Sequence, residues 1–223
     1  MKIERYPDKC VILPDVNAVD RVTVLYDTEQ CTVSFRDGEE RTFRHEWEIH
    51  HAAYYGVSFS PDGKIMYTGS WYNGVFALDS RSGAVVWHWK CTKVRELFVC
   101  SSSVIAMRHC DSLCKLDLLT GIVIDKVTGR SLESCWQLND HLVLLNSKYG
   151  KLCVLNTDTM TIVQKIARSV YDPKLCLSQI IQEARLRDNA IVISGVEEYP
   201  KGQDLFEQAS FERCIGCVEA ETK

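Results

Sequence analysis

The chain has 223 residues, 46% of them hydrophobic and 25% charged, and a formal charge of −4. This is the balance of an ordinary globular protein. Charges of both signs alternate along the chain and form no basic face, which speaks against nucleic acid as a partner. No run of about 18 apolar residues is present, which speaks against a transmembrane helix.

The first 21 residues, MKIERYPDKCVILPDVNAVDR, are interrupted by Glu4, Arg5, Asp8 and Lys9, unlike the apolar core of a secretory signal. A cytoplasmic location is therefore expected, with the 11 cysteines reduced. Cys100 in LFVC and Cys153 in KLCVL sit in apolar, strand-like runs. There a thiol acts as a small hydrophobe.

In chain order, the first unit predicts strands at 10–13, 21–26, 31–35 and 41–47, with a turn at Arg36-Asp37-Gly38-Glu39. The second predicts strands at 55–60 and 64–70, joined by Ser60-Pro61-Asp62-Gly63-Lys64. In that turn Pro fixes φ and Gly accepts a positive φ. A hairpin follows in GVFALDSRSGAVVWHW, residues 74–89. The third unit has strands at 96–100 and 104–108, then the hairpin SLCKLDLLTGIVIDK at 112–126. The fourth has strands at 134–138 and 141–146, then the hairpin GKLCVLNTDTMTIVQK at 150–165.

The three hairpins align without gaps at Asp79, Asp117 and Asn156, which are 38 and 39 residues apart. That period is close to the ~40–45 residues of a propeller blade. Apolar residues alternate before each anchor, as a strand requires. The anchor side chain can bond its own backbone and start a tight turn. Gly83 and Gly121 supply a positive φ there. Met160 takes that place in the third copy, so a different turn is expected.

The last unit is irregular. Residues 175–187 show helical spacing at Leu177, Ile180, Ile181 and Ala184, compatible with a helix as well as with an inner strand. Strands are expected at 190–196 and 211–218, separated by a long polar insertion at 197–209, and no fourth strand is evident. The insertion reads as an interaction loop or a disordered segment.

These units predict an all-β fold: one β-propeller domain over 1–223, most simply of five blades of four antiparallel strands, A to D, with an irregular last blade. The blade-like units run at about 9–47, 54–90, 95–127, 133–166 and 175–218. A closed ring is the simplest arrangement, and an open propeller completed by another chain is the alternative. GVFALDSRSGAVVW resembles the repeat of the pyrroloquinoline-quinone-type propellers at Gly74, Ala77, Leu78, Asp79, Gly83 and Trp87. FSPDGK, at 59–64, resembles a turn of WD-repeat and related propellers. The resemblance covers roughly residues 54–169 and implies architecture alone. Quinone enzymes of that family are far longer and use eight blades, so no cofactor is implied.

No catalytic constellation is legible. HEWEIHH, at 45–51, lacks the spacing of a helical zinc-protease motif. No Gly-x-Ser-x-Gly elbow or glycine-rich phosphate loop is present. Paired carboxylates of a hydrolase acting at the axis would come from different blades and cannot be read from sequence. Cys214 and Cys217 have CxxC spacing but fall in an expected strand, without the following helix of a redox motif or the second ligand pair of a zinc site. The reading is therefore non-enzymatic, with no metal and no cofactor.

In a propeller, B–C turns and D–A connections share one face. This rule groups Trp71 and Tyr72, Tyr149, Tyr171, and the connection residues His50, His51 and Tyr54. Such clustered aromatics suit a binding surface; the alternative is that Trp71 and Tyr54 fold back between blades. Trp87 is expected in the core between blades. The expected function is a non-catalytic scaffold for a protein or peptide of unknown identity, with no nucleic acid and no membrane as partner. A glycan-binding propeller is the first alternative, but it would repeat one aromatic in every blade, and the B–C turns do not. A small hydrolase is the second.

Overall fold

The computed structural model describes residues 2–5, 9–14, 16–25, 30–43, 57–100, 102–128, 132–147, 151–167, 178–200 and 206–218. Among them the fold is all-β: twenty strands in five antiparallel sheets, each pairing only strands that follow one another in the chain. The chain divides into two units, Met1–Arg130 with sheets 1 to 3 and Ser131–Lys223 with sheets 4 and 5.

In the first unit, sheet 1 contains β1 (Lys2–Arg5), β2 (Lys9–Leu13), β3 (Val19–Leu25), β4 (Gln30–Phe35) and β5 (Glu40–Phe43). Strand β1 was not expected. It extends the four-strand blade by pairing with β2, from Lys2 opposite Leu13 to Arg5 opposite Cys10. Sheet 2 is β6 (Val57–Phe59), β7 (Ile65–Ser70), β8 (Gly74–Asp79) and β9 (Val85–Trp89). Sheet 3 is β10 (Val94–Cys100), β11 (Ser103–Arg108), β12 (Ser112–Asp117) and β13 (Val123–Thr128).

The hairpin anchors work as their side chains dictate. Asp79 Oδ1 accepts from the Arg81 and Ser82 amides, at 3.2 and 2.7 Å, and from the Ser82 hydroxyl at 2.7 Å. Asp117 repeats this with Leu119 and Thr120. These bonds hold the carboxyls of both aspartates below the usual range, the Ser82 amide leading at Asp79 and the Thr120 hydroxyl at Asp117.

The sheets of this unit pack through alternate faces. Between sheets 1 and 2 lie Val22, Val33, Phe35, Phe43, Met66, Phe76 and Leu78. Between sheets 2 and 3 lie Tyr67, Ala77, Trp87, Leu97, Ala106 and Leu116. Trp87 is in the core between blades, as expected, and its indole N–H donates to the Leu118 carbonyl at 3.1 Å. The Tyr67 hydroxyl donates to the same carbonyl at 3.2 Å. Gly121, at φ +69°, lies under the indole; an added Cβ would stand within 3.0 Å of three of its atoms. Phe43 lies over Gly83, one sheet earlier, more loosely: its nearest ring atom would stand 3.3 Å from such a Cβ. An aromatic ring on strand D thus covers the glycine of the next blade's C–D turn.

In the second unit, sheet 4 is β14 (Leu132–Gln137), β15 (Leu142–Ser147), β16 (Leu152–Asn156) and β17 (Thr161–Ile166). Sheet 5 has three strands, β18 (Ser178–Arg187), β19 (Ala190–Pro200) and β20 (Phe206–Cys217). Leu144, Val154, Ile166, Ile191, Ile193 and Ile215 form the core between them.

Two expectations are corrected here, on Met160 and the polar insertion, and the alternative left open at 175–187 resolves to a strand over its described part. Met160 does not change its turn: it adopts φ +52° where Gly83 and Gly121 sit at +77° and +69°, and Asn156 Oδ1 accepts from Asp158 and Thr159 as the aspartates do. The helical spacing near 180 belongs to strand β18. A bulge at Gln182, between the pairs Ile181–Gly195 and Glu183–Ser194, puts one extra residue into the strand. Ile181 and Ala184 thereby both reach the core. The polar insertion is largely strand: the β19–β20 ladder continues from Glu197 opposite Ala209 to Pro200 opposite Phe206. Within it, Glu197 is only 2% exposed and forms a two-bonded ion pair with Arg213, whose guanidinium lies 5.1 Å from the Phe211 ring centroid. Among the described residues sheet 5 has no fourth strand, in line with the sequence.

Candidate functional site

Trp71 and Tyr72 occupy the B–C turn of sheet 2, between β7 and β8. Ser70 ends β7 with its hydroxyl accepting from the amides of Tyr72 and Asn73, at 3.3 and 3.2 Å. This tight closure puts the Tyr72 side chain outward, 71% exposed, while Trp71 stays half-buried.

The turn is fastened to its neighbours by backbone bonds. Lys93, in the D–A connection, donates its amide to the Trp71 carbonyl at 2.6 Å. His109, in the B–C turn of sheet 3, donates its amide to the Lys93 carbonyl at 2.8 Å. Lys93 and Cys110 hold left-handed backbone, at φ +65° and +56°, where these turns reverse. B–C turns and the D–A connection therefore meet on one face of this unit, as propeller geometry requires. The A–B and C–D turns meet elsewhere. There the Ser80 hydroxyl donates to the Gly63 carbonyl at 2.7 Å, and Arg81 pairs with Asp37 and Glu39 of the preceding C–D turn.

Side chains complete the surface. The Trp71 and His109 rings lie 5.7 Å apart, tilted by 40°. Arg95 donates to His109 Nδ1 at 3.2 Å, because a guanidinium has no acceptor. Arg108 donates to the Thr92 carbonyl at 3.0 Å and pairs with Asp111. On the other side of Tyr72, His88 Nε2 bonds the Asn73 carbonyl at 2.6 Å and its ring stacks on Phe76 at 3.9 Å.

Of the residues expected on this face, Trp71 and Tyr72 are together, while His50, His51, Tyr54, Tyr149 and Tyr171 lie outside the described residues. Sequence reasoning missed His109. The repeat itself marks it: His109 lies 38 residues after Trp71, the spacing that separates Asp79 from Asp117.

Cys214 and Cys217 lie on β20 with exposed side chains, opposite Val192 and Ala190, and no disulfide joins the described cysteines. Among the described residues no group of three or more His, Cys, Asp and Glu side chains could hold a metal ion.

No family model matches the chain, and no curated protein matches it in sequence. Solved structures do. The chain is similar to BamB from Moraxella catarrhalis at a TM-score of 0.57 and 15% identity, over 89% of this chain and 56% of that one. It is similar to the Cps50 (Swd1) β-propeller domain of Myceliophteria thermophila at a TM-score of 0.58 and 12% identity, over 95% of this chain and 73% of that domain. The fold is a β-propeller. At such identities the likeness is one of fold alone, and the chain spans just over half the length of BamB. The propeller has five blades, four of them with strands A to D and the last with three strands.

Proposed function

We propose that this propeller is a non-catalytic scaffold that holds a protein or peptide on the face built from its B–C turns and D–A connections. One observation carries the reading: Tyr72 stands 71% exposed beside a half-buried Trp71, on turns tied to one another by backbone hydrogen bonds. A rigidly mounted aromatic loses little conformational freedom on binding, which is why such residues dominate interface energies. Sequence topology alone extends the proposed face to His50, His51 and Tyr54, which lie outside the described residues. The thiols, without disulfides among the described residues, suit a reducing cytoplasm.

The test is capture from cell extract by the wild-type chain and by Trp71→Ala/Tyr72→Ala. The double variant should keep its thermal midpoint within a few degrees and lose its specific partners. Unchanged capture by a folded double variant rejects the placement of the site.

A further inference from the structure

The face around Trp71 is cationic, although the chain as a whole carries a net −4. Lys90 and Lys93 flank the D–A connection and are exposed. Neither forms an ion pair among the described residues. Arg95 reaches His109 beneath Trp71, and Arg108 bonds the Thr92 carbonyl of the same connection. Four cations thus gather on about two turns and one connection. Among the described residues the opposing carboxylates are Asp111, already engaged by Arg108, and Glu96 on β10. An anionic ligand would meet uncompensated charge here and exposed aromatic surface at Tyr72.

Resting on the scaffold reading, we infer that this face takes an acidic peptide segment, its carboxylates set against Lys90, Lys93 and Arg95 and an apolar side chain against Tyr72 and Trp71. Two features favour peptide over nucleic acid. Among the described residues the cations surround one exposed ring, Tyr72, in place of a row of stacking platforms, and the charges lie at one blade junction in place of a track along which a phosphate backbone could run. Lysine ammonium groups on flexible stems suit irregularly placed carboxylates, whereas Arg108 is already held by the Thr92 carbonyl and Asp111.

The experiment is fluorescence anisotropy of the full chain with three labelled probes: a glutamate decamer carrying one central tryptophan, the matching lysine decamer, and a single-stranded thymidine oligonucleotide. The glutamate probe should bind, weaken as salt rises, and weaken roughly tenfold or more with Lys90→Glu/Lys93→Glu. The lysine probe should not bind. Lys90→Gln/Lys93→Gln, which removes charge without reversing it, should fall between. No binding of the glutamate probe at low salt, or binding indifferent to both lysine variants, overturns the acidic-peptide inference. So does a thymidine probe that binds as tightly as the glutamate one. The scaffold reading is judged separately: if Trp71→Ala/Tyr72→Ala still loses cellular partners while the glutamate probe fails, the face binds a protein of other chemistry.

Discussion

Two tryptophans join neighbouring blades, one in each unit, and they do so differently. Trp87 leaves strand D of sheet 2 and donates its indole N–H to the carbonyl of Leu118, in a turn of sheet 3. Trp136 leaves strand A of sheet 4 and donates to the carbonyl of Gln182, at the bulge in sheet 5, at 3.3 Å. In both cases the acceptor is a carbonyl at an irregularity of the next blade, outside the regular ladder. Trp87, however, is 8% exposed, backed by Tyr67 at 5.8 Å and seated on Gly121, whereas Trp136 is half-buried. One hydrogen bond is common to both joints; the burial around it is not. Packing should therefore decide which joint matters more to stability.

The sharpest way to break this contrast is Trp87→Ala, which should cost roughly 3–5 kcal/mol by denaturant unfolding, against roughly 1–2 kcal/mol for Trp136→Ala. Equal losses would show that the hydrogen bond, and not the buried area, sets the strength of a joint. Next is Gly121→Ala. Positive φ and the overlying indole both oppose a Cβ, so a loss of about 2 kcal/mol or more is expected, and pairing it with Trp87→Ala should make the two losses less than additive.

A smaller effect separates the anchors. Asp79→Ala should cost about 1 kcal/mol. Asp79→Asn should be nearly neutral, because Asn156 already does the same work in sheet 4. The anchors also differ in acid. Asp79 and Asp117 have carboxyls lowered in the folded chain, so their contribution is present above the usual carboxylate range and is lost as pH falls through the lower folded values. Thermal midpoints should fall on acidification, and Asp79→Asn/Asp117→Asn should flatten that fall. The exposure of both groups keeps the effect small.

The least perturbing comparison is chemical. Burial pushes the thiols of Cys31 and Cys91 up to about 12, leaving almost no thiolate at neutral pH. Alkylation followed by peptide mass mapping should mark exposed Cys214 and Cys217 well before either of them; early labelling of Cys91 would mean that the junction around Gly74 opens readily.

The repeat was legible because its chemistry is local. Asp79, Asp117 and Asn156 each bond amides two and three residues away, so the pattern survives in a one-dimensional reading. The errors came from departures that neighbouring residues do not announce. Met160 tolerates a left-handed backbone at a modest cost that no residue-type rule marks as allowed. The bulge at Gln182 shifts the apolar alternation and makes a strand imitate helical spacing. Polar residues at 197–200 look like a loop until Arg213, sixteen positions on, is seen to neutralise Glu197. The candidate site was half legible: Trp71 and Tyr72 stand out by composition, whereas Arg95, Arg108 and His109 join them only through pairing between blades.

Among the described residues every strand pairs with the one before or after it in the chain, and the C–D turns carry their own closing bonds. Assembly therefore requires few long loop closures within a sheet, although the blades are all β. Hairpins of this kind form in microseconds, so the slow event in refolding should be the docking of finished sheets upon one another. Emerging from the ribosome, the chain can complete each sheet before the next is made, and none of the described strands must wait for a distant mate.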